Sequence, residues 1–119
     1  MALTAKTRNV GNITIVDLDG RITLGESTGV LRDTLRSLVN QGNKNIVLNL
    51  ERVSYVDSSG LGELVGAYTT IANQGGALKL LNLQSKTNDL MQITKLHTIF
   101  PIYNDEKQAV ESFGQKASV

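Results

Sequence analysis

Two adjacent serines, Ser58 and Ser59, stand between Asp57 and Gly60 in the segment VDSSGLGELVGAY. A serine hydroxyl can receive a phosphate, and a serine or aspartate side chain can equally cap a helix by accepting a hydrogen bond from a first-turn amide. An apolar run ends before this segment and an amphipathic run begins after it, so we expect a strand to turn here into a helix. Capping and chemical modification are both open at this point.

Three glycines follow at positions that capping alone does not require. Gly60 and Gly62 lie in the first turn of the predicted helix, and Gly66 lies one turn further on. Each costs on the order of 1 kcal/mol of helix propensity relative to alanine. Since glycine removes side-chain bulk, we expect the first two to permit the close approach of a neighbouring segment or a partner protein. Internal packing is the simpler expectation for Gly66.

The predicted position of Ser58, at the carboxyl end of a strand, favours binding. Sites in open α/β sheets gather at these strand ends, where helix N-termini direct their amides outward. A phosphoserine would bring roughly −1.5 to −2 charges at neutral pH. Asp57 and Glu63 would repel it, and no arginine stands beside it in the sequence. Burying that charge unpaired against a partner costs several kcal/mol, and each ~1.4 kcal/mol is tenfold in affinity, so phosphorylation would act as a binding switch.

Length and composition predict one ordinary globular domain. The 119 residues are 40% hydrophobic and 19% charged, with no cysteine, which excludes disulfides, thiolate catalysis and cysteine-ligated metals. Twelve basic and eleven acidic residues are scattered along the chain, so we expect no nucleic-acid partner. Neither a signal-peptide core nor a membrane-length apolar run is present, which predicts a cytoplasmic protein without membrane insertion.

Hydrophobic periodicity predicts alternating strands and helices. Strands are expected at LTAKTR, ITIVDL, NIVLNL, ALKLLNL and TIFPIYN, the first two joined as a hairpin through VGN. Helices are expected in ESTGVLRDTLRSLVNQG, after the two serines, in TNDLMQITKL and in DEKQAVESF. Pro101, the only proline, indicates that the last strand lies at an edge or is irregular.

This order of elements predicts an α/β fold. We expect a single domain over residues 1–119, with a mixed, mostly parallel sheet of four to five strands, an N-terminal hairpin and about four helices. The folded core is expected over about 3–113, and 114–119 are expected to form a frayed tail.

The long segment IVLNLERVSYVDSSGLGELVGAYTTIANQGGALKLLNL closely resembles the STAS domain of bacterial anti-sigma factor antagonists. The resemblance extends to VDLDGRIT and to LMQITKLHTIFPIYNDEKQAV, and its most specific part is VDSSGLG together with QGGALKL. It implies that Ser58 is a phosphoacceptor. The partner-binding residues that it implies are Asp57, Ser58, Ser59, Gly60, Leu61, Gly62, Arg21 and Thr23.

The resemblance also implies a partner-switching cycle. The unphosphorylated antagonist binds an anti-sigma factor that is also a serine kinase, and the sigma factor is released. The kinase then phosphorylates the serine with ATP and Mg²⁺, and a phosphatase restores the binding form. The protein would thus be a substrate and not an enzyme, with no cofactor or metal of its own, and a weak homodimer is a further expectation. The sequence itself contains no glycine-rich phosphate loop with a lysine.

One departure from the family pattern concerns the segment GRIT. Arg21 and Thr23 stand where acids often stand in these antagonists. A basic residue there would favour a phosphate or alter which kinase recognises the protein. The choice of partner is therefore open.

Two other functions compete with this interpretation. A phosphotransfer receiver would use Asp57, but it needs an acidic pair and a lysine that converge on Mg²⁺, and we place Asp17 and Asp19 at the hairpin's exit and Lys79 inside a strand. The second alternative is a STAS interaction module of a stressosome-like sensory or transport-associated assembly, with no direct role at a sigma factor. His97, the only histidine, has no companion nucleophile or ligand nearby in the sequence.

Overall fold

The first two strands form an antiparallel hairpin, as their alternation predicts. In the computed structural model, which describes residues 3–117, β1 spans Thr4–Val10 and β2 spans Ile13–Ile22. Gly11 in the turn has a φ of 62°, a conformation that glycine adopts without steric cost. β2 continues four residues beyond the predicted ITIVDL, because its other edge pairs with the next strand through Ile22.

Three crossover units then build the parallel part of the sheet. The remaining elements are α1 Glu26–Asn40, β3 Asn45–Val56, α2 Ser58–Asn73, β4 Ala77–Leu81, α3 Ser85–Ile93, a 3₁₀ turn Leu96–Thr98, β5 Ile102–Tyr103 and α4 Glu106–Ala117. The strands lie in the order β1-β2-β3-β4-β5, and every pair after the hairpin is parallel. The predicted α/β fold, with a mostly parallel five-stranded sheet and four helices, is confirmed.

Strand β3 is six residues longer than the predicted NIVLNL. Its second half, ERVSYV, carries exposed polar residues that interrupt the apolar run, yet Val53 and Val56 are buried and the segment pairs with β2. Backbone pairing with an existing neighbour keeps a strand extended where its side chains alone would not. The extra length brings the end of β3 to Val56, directly before Asp57 and Ser58.

The two faces of the sheet bury different side chains. Helices α1, α2 and α3 cover the larger cluster, which includes the fully buried Leu31, Leu48 and Leu64. Helix α4 covers a smaller cluster on the other face, around Ile15 and Val47. Adjacent positions on β3 alternate between the two clusters, as the period of a strand requires, which explains why NIVLNL reads as a continuous aliphatic run.

The C-terminal elements differ in length from the prediction. β5 has only two residues, and it lies at the sheet edge as Pro101 indicates; the Pro101 carbonyl accepts a hydrogen bond from the Leu80 N–H at 2.9 Å. The α3 helix starts at Ser85, two residues before the predicted start, and ends at Ile93. Lys95, in the left-handed conformation (φ 62°), then separates it from the 3₁₀ turn. The backbone of α4 continues to Ala117, past the predicted end. Fraying of the tail stays a prediction, and its last two residues lie outside those described.

Candidate functional site

Asp57 fixes the start of α2 and the loop that faces it. Its Oδ1 accepts a hydrogen bond from the backbone N–H of Gly60 at 2.8 Å, and its Oδ2 accepts one from the N–H of Leu24 at 3.0 Å. These hydrogen bonds lower the pKa of the Asp57 carboxyl below its ordinary value, and the bond from Gly60 has a larger effect than the bond from Leu24. One carboxylate therefore caps the helix and also ties the β2–α1 loop to it.

Ser58 is the first residue of α2, and it is exposed. Within residues 3–117 its hydroxyl makes no hydrogen bond, since Asp57 supplies the side-chain oxygen of the cap. Ser59 is half-buried and likewise takes no part in the cap through its side chain. The structure thus assigns capping to the aspartate and leaves the Ser58 hydroxyl open to the solvent.

The glycines near the start of α2 differ in what surrounds them. Gly60 is buried, and a Cβ on it would overlap the carbonyl oxygen of Ile22 and lie 2.9 Å from Cγ1 of Val56, so internal packing requires this glycine. The close approach of a neighbouring segment, one of the two expectations for this glycine, is therefore present at Gly60, and its contact with a partner stays a prediction. The expectation of internal packing at Gly66 is wrong, because a Cβ there or at Gly62 meets nothing within 4 Å. Gly62 and Gly66 are four residues apart and lie on the same open face of α2.

The end of β2 places Arg21 and Thr23 beside this helix start. Arg21 is exposed and lies in register with Tyr55 of β3. Thr23 is half-buried; its N–H donates to Oγ of Ser27 at 2.8 Å, and that hydroxyl donates back to the Thr23 carbonyl. The loop from β2 into α1 is thus held at Thr23 by Ser27 and at Leu24 by Asp57.

A groove runs between the start of α2 and helix α3, with Ser58 on its wall. We call it the α2–α3 groove; it has a volume of about 360 Å³, and its lining includes Tyr55, Ser58, Leu61, Lys86 and Leu90. Leu61, predicted to contact a partner, is only 7% exposed and belongs to the core, so it forms part of the groove's lining from within.

Three residues at this surface are not among those predicted from the sequence. Leu24 is 78% exposed and Tyr55 is 49% exposed, which makes them two of the four large hydrophobic side chains exposed within residues 3–117. Lys86 lines the groove from the first turn of α3. Leu24 lies in a loop without periodicity and Tyr55 in a polar stretch, so only the folded arrangement joins them to Ser58.

Asp17, one of the two acids that a phosphotransfer receiver would need, is engaged with residues away from Asp57. Asp17 and Asp19 lie inside β2 and not at the hairpin's exit, and the Asp17 carboxylate accepts from Arg8 at 2.7 Å and from Asn49 at 2.8 Å. Lys79 is buried within β4. In the described part of the chain, no three His, Asp or Glu side chains are grouped so that they could hold a metal ion.

Comparison with known sequences identifies close relatives. The family model described as STAS domain matches residues 4–109. The anti-sigma-B factor antagonist of Bacillus subtilis (strain 168) is 43% identical over 76 residues, which cover 64% of this chain and 69% of that protein. The anti-sigma F factor antagonist of Paenibacillus polymyxa is 30% identical over 98 residues, which cover 82% of this chain and 84% of that protein.

Solved structures share the same fold. An anti-sigma factor antagonist from Mycobacterium paratuberculosis superposes with a TM-score of 0.82 at 19% identity and covers 92% of each chain. The Bacillus cell fate determinant SpoIIAA in its phosphorylated form has a TM-score of 0.71 at 22% identity, over 92% of this chain and 99% of that one. None of the helices within residues 3–117 has the length and apolar character needed to cross a membrane.

Proposed function

Because this chain belongs to the STAS domain family, we propose that it is an anti-sigma factor antagonist controlled by phosphorylation of Ser58. The unphosphorylated protein binds an anti-sigma factor that is also a serine kinase, and the sigma factor is freed for transcription. The kinase moves the γ-phosphoryl group of ATP, with Mg²⁺, to the Ser58 oxygen and the complex dissociates. A phosphatase hydrolyses the phosphoserine and restores binding. This cycle takes place in the bacterial cytoplasm, and the protein is its substrate.

The observation that carries this proposal is the division of tasks at the start of α2. Asp57 already makes the capping bonds to Gly60 and Leu24, so the Ser58 hydroxyl is not needed to hold the helix. Ser58 is exposed at the helix's first position. A kinase can therefore reach and modify this oxygen without unfolding the helix, and the modified protein keeps its fold.

The surroundings of Ser58 explain how a phosphate would block a partner. The exposed Tyr55 lines the same groove as Ser58, and the exposed Leu24 is bonded through its backbone to the neighbouring Asp57. Contacts between such apolar side chains and a partner exclude water. A phosphate of roughly −1.5 to −2 charges would have to lose its hydration in that contact. The desolvation costs several kcal/mol, which amounts to a loss of two or more orders of magnitude in affinity.

Phosphosite mapping tests the proposal directly. The protein is incubated with ATP, Mg²⁺ and the anti-sigma factor kinase from its own bacterium, and intact-mass and fragment spectra locate the phosphate. We expect one phosphate at Ser58, none in the Ser58→Ala variant, and unchanged labelling in Ser59→Ala as the matched control. Phosphate at Ser59 or elsewhere would contradict the assignment.

The alternative is a STAS module that serves a larger sensory or transport-associated assembly. The names of the two curated relatives support the antagonist role instead. A native pull-down with the unphosphorylated protein separates the two functions. Recovery of a small kinase with an ATPase fold supports the antagonist, whereas recovery of large sensor or transporter subunits supports the alternative.

A further inference from the structure

We propose that a phosphate on Ser58 is held within the molecule by Lys86 of α3, across the α2–α3 groove. This inference rests on the proposed function, because it concerns the phosphorylated form of the same serine. The ligand is a phosphate dianion that belongs to the chain itself, and the donor is the lysine ammonium group. Ser58 and Lys86 line the same groove, one on α2 and the other on α3.

The helix end is poorly suited to hold this phosphate by itself. Free amides at a helix N-terminus are the usual anion donors. Here the Asp57 carboxylate already accepts the first-turn Gly60 N–H at 2.8 Å, and the Ser59 N–H is directed at the same carboxylate. The Asp57 carboxylate also adds a negative charge beside the phosphate. A cation from another element would favour the dianion by offsetting this charge.

Among the charged side chains near the start of α2, Lys86 is the one available to pair with a phosphate on Ser58. It is exposed and makes no ion pair within the described residues. Arg32 of α1 is engaged with Glu63, its Nη2 lying 2.7 Å from Oε1. Arg21 is exposed on β2 but does not line the groove. The long, flexible stem of lysine allows its ammonium group to swing to a neighbouring phosphate.

The start of α3 is attached to β3, the strand that leads to Ser58. The residue before α3, Gln84, donates from Nε2 to the carbonyl of Glu51 at 2.8 Å. Glu51 lies in β3, the strand that leads into Asp57 and Ser58. Both walls of the groove are thus attached to one strand, and the flexible stem of Lys86 extends from one of them.

Capture of the phosphate would also cover the apolar part of the groove. Lys86 drawn toward position 58 lays its aliphatic stem near Tyr55 and Leu90, which line the same groove. The phosphorylated protein would then conceal side chains that the unphosphorylated protein presents. The switch would combine the charge on the serine with closure of the surface beside it.

The test measures the second pKa of the phosphate by ³¹P NMR titration. Phosphoserine is placed at position 58 during translation, so no kinase is used, and the lysine variants Lys86→Gln and Lys107→Gln are compared with the parent phosphoprotein. A nearby ammonium group stabilises the dianion and lowers this pKa, so Lys86→Gln should raise it by about 0.3–0.7 unit. Lys107→Gln removes the same charge from exposed α4 on the other face of the sheet, and should leave the pKa unchanged.

Two results would overturn the inference. One is an unchanged phosphate pKa in Lys86→Gln; the other is an increase in Arg21→Gln with none in Lys86→Gln, which would assign the phosphate to β2. High salt provides a second check, since about 1 M NaCl should shrink the effect of Lys86→Gln. Because the phosphate is installed without a kinase, these results are independent of whether a kinase modifies Ser58. If the phosphosite mapping finds the phosphate at another residue, the proposed function is contradicted, but the effect of Lys86 on the phosphate pKa still stands.

Discussion

Asp57 and Ser58 are neighbours with separate tasks. The aspartate carboxylate accepts two backbone hydrogen bonds, one from α2 and one from the loop before α1, and the serine hydroxyl projects from the first position of the helix. The aspartate thereby stabilises the start of the helix, and the adjacent serine is left available for modification. A modification of the serine leaves the cap intact, which is what a reversible switch requires.

The Asp57 carboxylate should make part of the stability depend on pH. Its pKa in the folded protein lies below the ordinary 3.8, so its contribution is fully present above that value and is lost as the pH falls through the lower folded-state pKa. The Asp57→Asn variant carries no charge, and its single amide oxygen can accept only one of the two hydrogen bonds that Gly60 and Leu24 donate to the carboxylate. We expect the variant to have a lower Tm at about pH 7, and the difference to narrow by about pH 3.

Thermal denaturation of both proteins across this pH range checks the prediction. Asp17 and Glu106 also have lowered pKa values, caused first by their hydrogen bonds to Arg8, but they are present in both proteins and cancel in the comparison. A Tm difference that is the same at every pH would mean that the Asp57 charge does not contribute.

Leu24 provides a residue-scale test of the binding surface. Its side chain is 78% exposed, while its backbone N–H is held by Asp57. Leu24→Ser should therefore leave Tm nearly unchanged and weaken binding to the anti-sigma factor by about tenfold, the loss of ~1.4 kcal/mol of apolar contact. Titration calorimetry measures the affinity. Ile99→Ser is the control, because Ile99 is also exposed but precedes β5 at the opposite end of the parallel strands.

At the scale of elements, the start of α2 has an inner and an outer face. Gly60 faces the end of β2, where the Ile22 carbonyl leaves no room for a Cβ, and Gly62 faces outward, where a Cβ meets nothing. Both glycines reduce the helix propensity by similar amounts. Only Gly60 is required by the fold, so a need for glycine at position 62 would come from contact with a partner.

Alanine substitution separates the two faces. Gly60→Ala should lower the free energy of unfolding by about 1–3 kcal/mol, since the methyl group is forced against the β2 backbone. Gly62→Ala should raise it by about 0.4–1 kcal/mol, yet weaken binding to the anti-sigma factor. Urea denaturation gives the stabilities. A destabilised Gly62→Ala protein, or one that binds its partner undiminished, would contradict the assignment of the outer face to binding.

At the scale of the whole molecule, Arg8 joins the first strand to the last helix. Its guanidinium Nε lies 2.7 Å from Asp17 Oδ2 on β2, and its Nη2 lies 2.6 Å from Glu106 Oε1 at the start of α4. The two ends of the chain, 98 residues apart in sequence, are linked through one side chain. Because Arg8 is partly exposed, solvent screens these ion pairs and their contribution is modest.

Arg8→Ala should lower the free energy of unfolding by about 1 kcal/mol, the sum expected for two screened ion pairs. The loss should shrink at about 1 M NaCl, which weakens the same pairs in the parent protein. Lys6→Ala is the matched control on the same strand, with no ion pair in the described part of the chain. A loss of stability that is equal in both variants would show that the charges of Arg8 are not responsible.

The fold follows from the sequence more fully than the site does. Alternation and helical spacing are local, and they predict the hairpin, the crossovers and the edge position of β5. The end of β3 is set by pairing with β2, and the role of Gly60 by the Ile22 carbonyl, so neither can be read from neighbouring residues. The same holds for Leu24 and Lys86, which only tertiary packing brings to Ser58.

The affinity for the anti-sigma factor, measured with and without a phosphate on Ser58, tests the central claim most directly. Protein with phosphoserine placed at position 58 during translation and the unmodified protein are compared by titration calorimetry, with matching far-UV spectra to show that both are folded. We predict that the phosphate weakens binding by about 100-fold or more, the cost of desolvating a dianion at an apolar contact. Equal affinities of the two folded forms would contradict the account.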